Sequence, residues 1–221
     1  MSFWRMAGGI LAQQVRHTVL FVVGNASSPA TGDASIKTYL EGLGYTVTYL
    51  DDDSVTGSET GYDCVLVSDS VNHVTISSYL TFSTMPVITL EYLSWKNHKL
   101  ATDATEDASQ TNMDLILDTH PIAGTLSNGA ISIFSSAATI RNTKNTSVLG
   151  SGATVIFESP VGSGRACIFT YENGTTLAGT PYVTALARRV ALPFEYGQWS
   201  NLTTTAKEIF ARSVQWAMGV I

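Results

Sequence analysis

Charge is what this sequence has least of. Only 14% of its 221 residues are Asp, Glu, Lys or Arg, against about a quarter in ordinary globular domains. Twelve are basic and eighteen acidic, which leaves a formal net charge of −6. Arg188–Arg189 is the only adjacent basic pair. Counterion release from phosphates has almost nothing to act on, so nucleic acid is not an expected partner. Ser, Thr, Asn and Gly fill the space instead. A neutral polar surface of that kind suits a secreted protein, or a subunit packed into a large assembly.

Other shortages exclude further classes. No stretch approaches about 18 consecutive apolar residues, so no membrane span is expected. There are two cysteines, Cys64 in CVLVS and Cys167 in ACIFT. Both runs look like strands, which makes these residues buried small hydrophobes, and their spacing does not fit a zinc site. His17, His73 and His98 show no metal-ligand spacing among themselves. The glycine-containing stretches GSG (150–152) and VGSG (161–164) lack the Gly-Lys-Ser/Thr ending of a phosphate loop and read as hairpin turns. Asp51-Asp52-Asp53 lacks the EF-hand spacing and reads as a solvated turn. No metal and no cofactor is expected.

What is present is a large apolar fraction, 44% of residues, enough for one sizeable core. Residues 1–16 form an apolar arm carrying Phe3, Trp4, Met6, Ile10 and Leu11. Its apolar stretch from Met6 to Ala12 is short for a signal core, and no convincing cleavage site follows. The arm is expected to dock on its own domain or insert into a neighbour, in a chain made without a cleavable signal peptide. Residues 17–221 are expected to form a single α/β domain.

The order of elements alternates. HTVLFVVGN (17–25) is apolar on both faces, as a buried parallel strand should be. Asp33 can cap a helix with Ile36, Tyr39, Leu40 and Leu43 on one stripe, stopped by Gly44. YTVTYL (45–50) and DCVLVSDS (63–70) are the second and third strands. VTISSYLTF (74–82) reads as a short helix, MPVITL as a fourth strand, and EYLSWKNHKL (91–100) as a helix. The polar stretch 101–112 interrupts the pattern. From Ala130 the chain is rich in β segments, namely ISIFSS, ATVIFES, RACIFTY and RRVALPF. An amphipathic helix with Ile209, Phe210, Val214, Trp216 and Ala217 on its apolar stripe, capped by Thr203 or Thr204, ends the sequence. The expected fold is flavodoxin-like: a doubly wound, mostly parallel sheet with a β-rich C-terminal half and a C-terminal helix.

Several stretches together carry a resemblance. VLFVVGN leads to a helix ending LEGLGYTVTYLDDD, and THPIAGTL (119–126), GRACIFTY, RRVALPF and LTTTAKEIFARSVQWAMG follow. Over residues 17–220 this resembles the class I glutamine amidotransferase-like superfamily. The likeness is greatest to its divergent branches without amidotransferase activity, found as modules in secreted bacterial proteins and beside carbohydrate-active enzymes. Enzymes of that superfamily place a Cys at the elbow after a central strand, with a His and a Glu near the last strand; the imidazole helps form the thiolate nucleophile. Here the elbow reads Thr89-Leu90-Glu91-Tyr92, and the segment after the last strand reads Leu192-Pro193-Phe194-Glu195-Tyr196. The resemblance therefore does not imply amidotransferase activity. His120 falls in a His-Pro stretch that recurs in the family as a structural turn.

Ligands of open α/β sheets bind outside the carboxyl ends of the strands. Asn25, Asp51, Ser68, Asp69 and Glu91 fall at such ends and are the candidate binding residues, although Glu91 is also placed to cap the helix it opens. The expectation is a non-enzymatic structural or assembly subunit that contacts other protein subunits, such as a capsid or tail protein of a virion. The alternatives are an extracellular, carbohydrate-associated binding module and a hydrolase using Glu91, with Asp69 and His120.

Overall fold

The structure is a computed structural model that describes residues 16–221. The arm residues Phe3, Trp4, Met6, Ile10 and Leu11 lie outside the described residues. In chain order the elements are β1 (Thr18–Val23), α1 (Thr31–Gly42), β2 (Thr46–Asp51), β3 (Cys64–Val67), α2 (His73–Ile76), β4 (Val87–Thr89), α3 (Ser94–Asn97), β5 (Thr105–Gln110) and β6 (Asn112–Leu115). Then come β7 (Gly129–Ser132), β8 (Ala138–Asn142), β9 (Ala153–Glu158), β10 (Ala166–Tyr171), β11 (Arg189–Ala191) and α4 (Thr204–Ala217).

Among the described residues, nine strands form one sheet in the order β2-β1-β3-β4-β11-β10-β9-β6-β7. The first five run parallel, and β10, β9, β6 and β7 continue the sheet antiparallel. This is the expected α/β fold with its β-rich second half. The central parallel strands are buried on both faces because their sequences are apolar at nearly every position. Val19, Phe21 and Val23 of β1 face one way, with Leu66 of β3 and Ile88 of β4, onto α1 and α4. Leu20 and Val22 face the other way, with Val65, Val67 and Val87, onto Ile76 and Leu80. In α4, Thr203 accepts a hydrogen bond from Ala206 N at 3.1 Å, so the expected cap is present.

The covering helices differ from their sequence expectations. VTISSYLTF is split into α2 and a 3-10 turn at Tyr79–Phe82, with Ser77 between them at φ 38°. EYLSWKNHKL yields only the single turn of α3, ended at Lys99 with φ 58°. The polar stretch 101–112 is not a simple interruption. It holds β5, which pairs with β8 in a separate two-stranded ribbon, and the start of β6. Asp33 does not cap α1. The N-cap is Ala30, without a side-chain bond, and Asp33 is buried in the first turn.

Candidate functional site at the carboxyl ends of the parallel strands

The parallel strands β1, β2, β3, β4 and β11 end on the same side of the sheet, and the chain turns there into loops dense in carboxylates. Gly24 follows β1 against the loop after β3. A Cβ on it would lie 2.3 Å from Ser70 O, so only glycine allows the contact. Two hydroxyls hold that junction. Ser68 donates to Asp33 Oδ1 at 2.5 Å and accepts from Ser70 N, and Ser70 donates to Asp33 Oδ2 at 2.7 Å and accepts from Gly24 N. Asp33 is fully buried, and burial raises its pKa even though the two serine hydroxyls pull it back.

Asp69 reaches across to the segment after β11, where its Oδ1 accepts from Tyr196 N at 2.5 Å. That segment runs into a 3-10 turn at Tyr196–Asn201 packed on α1. Burial pushes Asp69 up to about 7; the Tyr196 bond works against this, while Glu195, Glu91 and Asp33 add to it. Glu91 stands after β4. Its Oε1 accepts from Leu93 N at 2.7 Å, and its carbonyl accepts from the Ser94 hydroxyl at 2.6 Å and from Ser94 N at 3.2 Å. The carboxylate thus closes the turn that opens α3, as its sequence position suggests. It is only 6% exposed, and burial pushes its pKa up to about 7.

A cation answers these acids. Arg141, from β8 of the outer ribbon, pairs with Glu195 Oε1 at 2.6 Å, pairs with Glu106 of β5, and lies 4.4 Å over the Tyr92 ring. Glu195 Oε2 also accepts from Gln198 at 3.1 Å. Asp33, Ser68, Asp69, Glu91, Glu195 and Arg141 therefore belong to one electrostatic neighbourhood. Chemically it can hold protons near neutrality or bind a hydrogen-bond donor.

The structure brings Ser68, Asp69 and Glu91 together and leaves Asn25 and Asp51 out. Asn25 accepts from Ser27 N, Ser27 Oγ and Ser28 N, which closes its own loop. Asp51 accepts from Ala26 N at 3.1 Å and from Asp53 N at 3.2 Å. The Asp51-Asp52-Asp53 turn is not simply solvated, since Asp52 is buried and accepts from Asn72 N at 2.6 Å. His120 is remote from Glu91. Its ring lies tilted, 5.2 Å from that of Trp216, which also carries Arg188 at the opposite end of β11. Asp33, Glu195 and Arg141 were not legible as site residues. The short-range signals placed Asp33 at a helix cap, and Arg141 arrives from a strand with no strong pattern.

Neither sulfur occupies this crevice. Cys64 opens β3 at the far end of the sheet, and Cys167 lies inside β10. Both are free and buried, and burial raises both thiol pKa values. The charges that face them are carboxylates: Asp63 for Cys64, and Glu158 and Asp114 for Cys167.

No family model matches this chain, and no curated protein does. Among solved structures, a Thermoplasma acidophilum protein named as a "putative GMP synthase" component superposes with a TM-score of 0.57. The match covers 93% of this chain and 96% of that one, at 12% identity. The fold is distantly amidotransferase-like. Within it, the turn after β4 carries Glu91 and the segment after β11 carries Glu195. Two acids thus stand on the strand ends from which the family resemblance leads one to expect a thiol and its imidazole partner. No described helix is long and apolar enough to cross a membrane.

Proposed function

We propose that this chain is a non-catalytic structural or assembly protein that diverged from the amidotransferases and works through contact surfaces. One observation carries the reading. The turn after β4 holds Glu91, whose carboxylate is tied to Leu93 N, while both sulfurs are sealed in the interior. A thiolate cannot form where burial raises the thiol pKa and the neighbouring charges are negative. The charge-poor surface suits close packing against other subunits, as in the capsid or tail of a virion, and the apolar arm at residues 1–16 supplies a contact element. Two measurements test this together. Incubation with glutamine should release no ammonia above a protein-free control. Size exclusion with light scattering should give a multimer that dissociates when the arm is deleted. Thiol-dependent glutamine hydrolysis, or a monomer indifferent to the arm, would end the proposal.

A second reading has its own support. Asp69 and Glu91 belong to one electrostatic neighbourhood, and burial pushes both up to about 7, the range of a general acid. A hydrolase of this kind would lose roughly 100-fold or more in rate on Glu91→Gln. A Glu91→Gln protein with unchanged turnover of every amide and glycoside tried would remove that reading.

A further inference from the structure

A sizeable pocket lies at the other end of the sheet. Tyr171 ends β10, pairs with Arg189 at the start of β11, and so marks the end opposite Glu91. There two loops, 147–151 and 176–182, border an open pocket of about 640 Å³ together with Thr102. That size lies within the range of about 300–1,000 Å³ typical of small-molecule sites. The walls are held by backbone. Tyr171 donates its hydroxyl to Leu100 O at 2.7 Å and accepts from Gly150 N at 2.8 Å. Gly152 N donates to Thr176 O at 3.2 Å, Thr102 N to Val148 O at 2.9 Å, and Ala178 N to Lys99 O at 2.7 Å. The loops meet so closely that a Cβ on Gly150 would lie 2.4 Å from the Leu177 carbonyl carbon. The cavity is therefore formed before any ligand arrives.

Its chemistry is selective. The lining consists of Ser, Thr and Gly with Val148, Leu149, Leu177 and Tyr182, and carries no ionisable carboxylate or amine. The nearest cation is Lys99, whose exposed ammonium donates to Pro181 O of the 176–182 loop at 3.3 Å, and Asp103, next to Thr102, pairs with Lys144 at 4.0 Å. A phosphate or carboxylate would exchange its hydration for a single exposed ammonium already bonded to a loop carbonyl, and an ammonium group would find no acid in the lining. A hydrocarbon would cover a lining that includes Ser151, Thr176 and Thr180 and offer their polar atoms no partner. A polyol meets both demands, because each hydroxyl donates and accepts while its C–H faces stay apolar. Tyr182, 77% exposed, adds an aromatic face at the rim, suited to the C–H side of a sugar ring.

We propose that this cavity is a binding site for a neutral saccharide. The site is separate from the carboxylate crevice, and the inference holds whether or not the chain assembles. The test is an amide-shift titration by NMR on the full chain. The probes are neutral trisaccharides of glucose, galactose, mannose and N-acetylglucosamine, with inorganic phosphate and a trigalacturonate as charged counterparts. At least one neutral trisaccharide should shift amides in 147–151 and 176–182, leave those around Asp69 and Glu91 in place, and outcompete both charged probes. Tyr182→Ala, at an exposed position, should keep the rest of the spectrum and weaken that binding roughly tenfold or more. The proposal is overturned if no neutral trisaccharide moves these amides, if a charged probe binds as well, or if Tyr182→Ala binds undiminished.

Discussion

Glu91 and Asp69 hold protons to about pH 7 because each is largely withdrawn from water among other acids. Their folded pKa values lie above those of the unfolded chain, so the folded state binds more protons between about pH 4 and 7. Stability from these groups is full below that window and declines as pH rises through it. His98 acts the other way. It is buried beside Arg189 and pushed down to about 4, so it costs stability as pH falls below about 6.5. A single variant separates the two. Glu91→Gln keeps an oxygen for Leu93 N but has no charge to bury. It should raise stability at pH 7.5 by on the order of 1 kcal/mol and flatten the slope between about pH 4.5 and 7.5, read by urea denaturation. An unchanged slope would mean that Glu91 titrates normally. Arg189 is the other residue whose environment sets its role. It is 1% exposed, and its guanidinium donates to Ser83 O at 2.6 Å, Met85 O at 3.0 Å and Ala187 O at 3.1 Å. Arg189→Met should strand those carbonyls and cost about 3–5 kcal/mol in the same assay; a loss below about 1 kcal/mol would show that water replaces the donor.

Among the elements, those with an unbroken pattern were legible, and those shaped by distant partners were not. β1, β3 and α4 follow directly from apolar runs and one amphipathic stripe. Two local features bound α3, and apolar spacing registers neither: at its start the Ser94 hydroxyl bonds Glu91 O and Thr89, and at its end Lys99 turns to φ 58°. The TEDASQ strand of β5 alternates no apolar residues and exists because β8 lies alongside it. The same limit applied to the site. Ser68, Asp69 and Glu91 could be read from strand ends, whereas Glu195 and Arg141 join them only through the closed sheet. Packing of α1 provides a test at this scale. A Cβ on Gly32 would lie 1.9 Å from Tyr196 O. Ala is the better helix former, by about 1 kcal/mol, yet Gly32→Ala should destabilise by about 1–3 kcal/mol as the helix moves off that carbonyl. A stabilised variant in thermal melts would show that the 196–201 turn yields easily.

For the whole molecule, the amidotransferase-like fold keeps its sulfurs out of reach. An aromatic disulfide reagent should label neither Cys64 nor Cys167 in the native protein, and both after denaturation, because each thiol is fully buried. Rapid labelling of either native thiol would contradict the closed core. The sheet also imposes an order on biosynthesis. Among the described strands, β11 is only three residues long, begins at Arg189, and is the sole bridge between the parallel strands ending in β4 and the antiparallel strands beginning with β10. Until those residues leave the ribosome the two halves have no shared edge, and the nascent polypeptide must keep two exposed rims apart. Closure depends on a late pairing of β11 with β4, a strand made long before, which favours slow, all-or-none maturation over growth from one end.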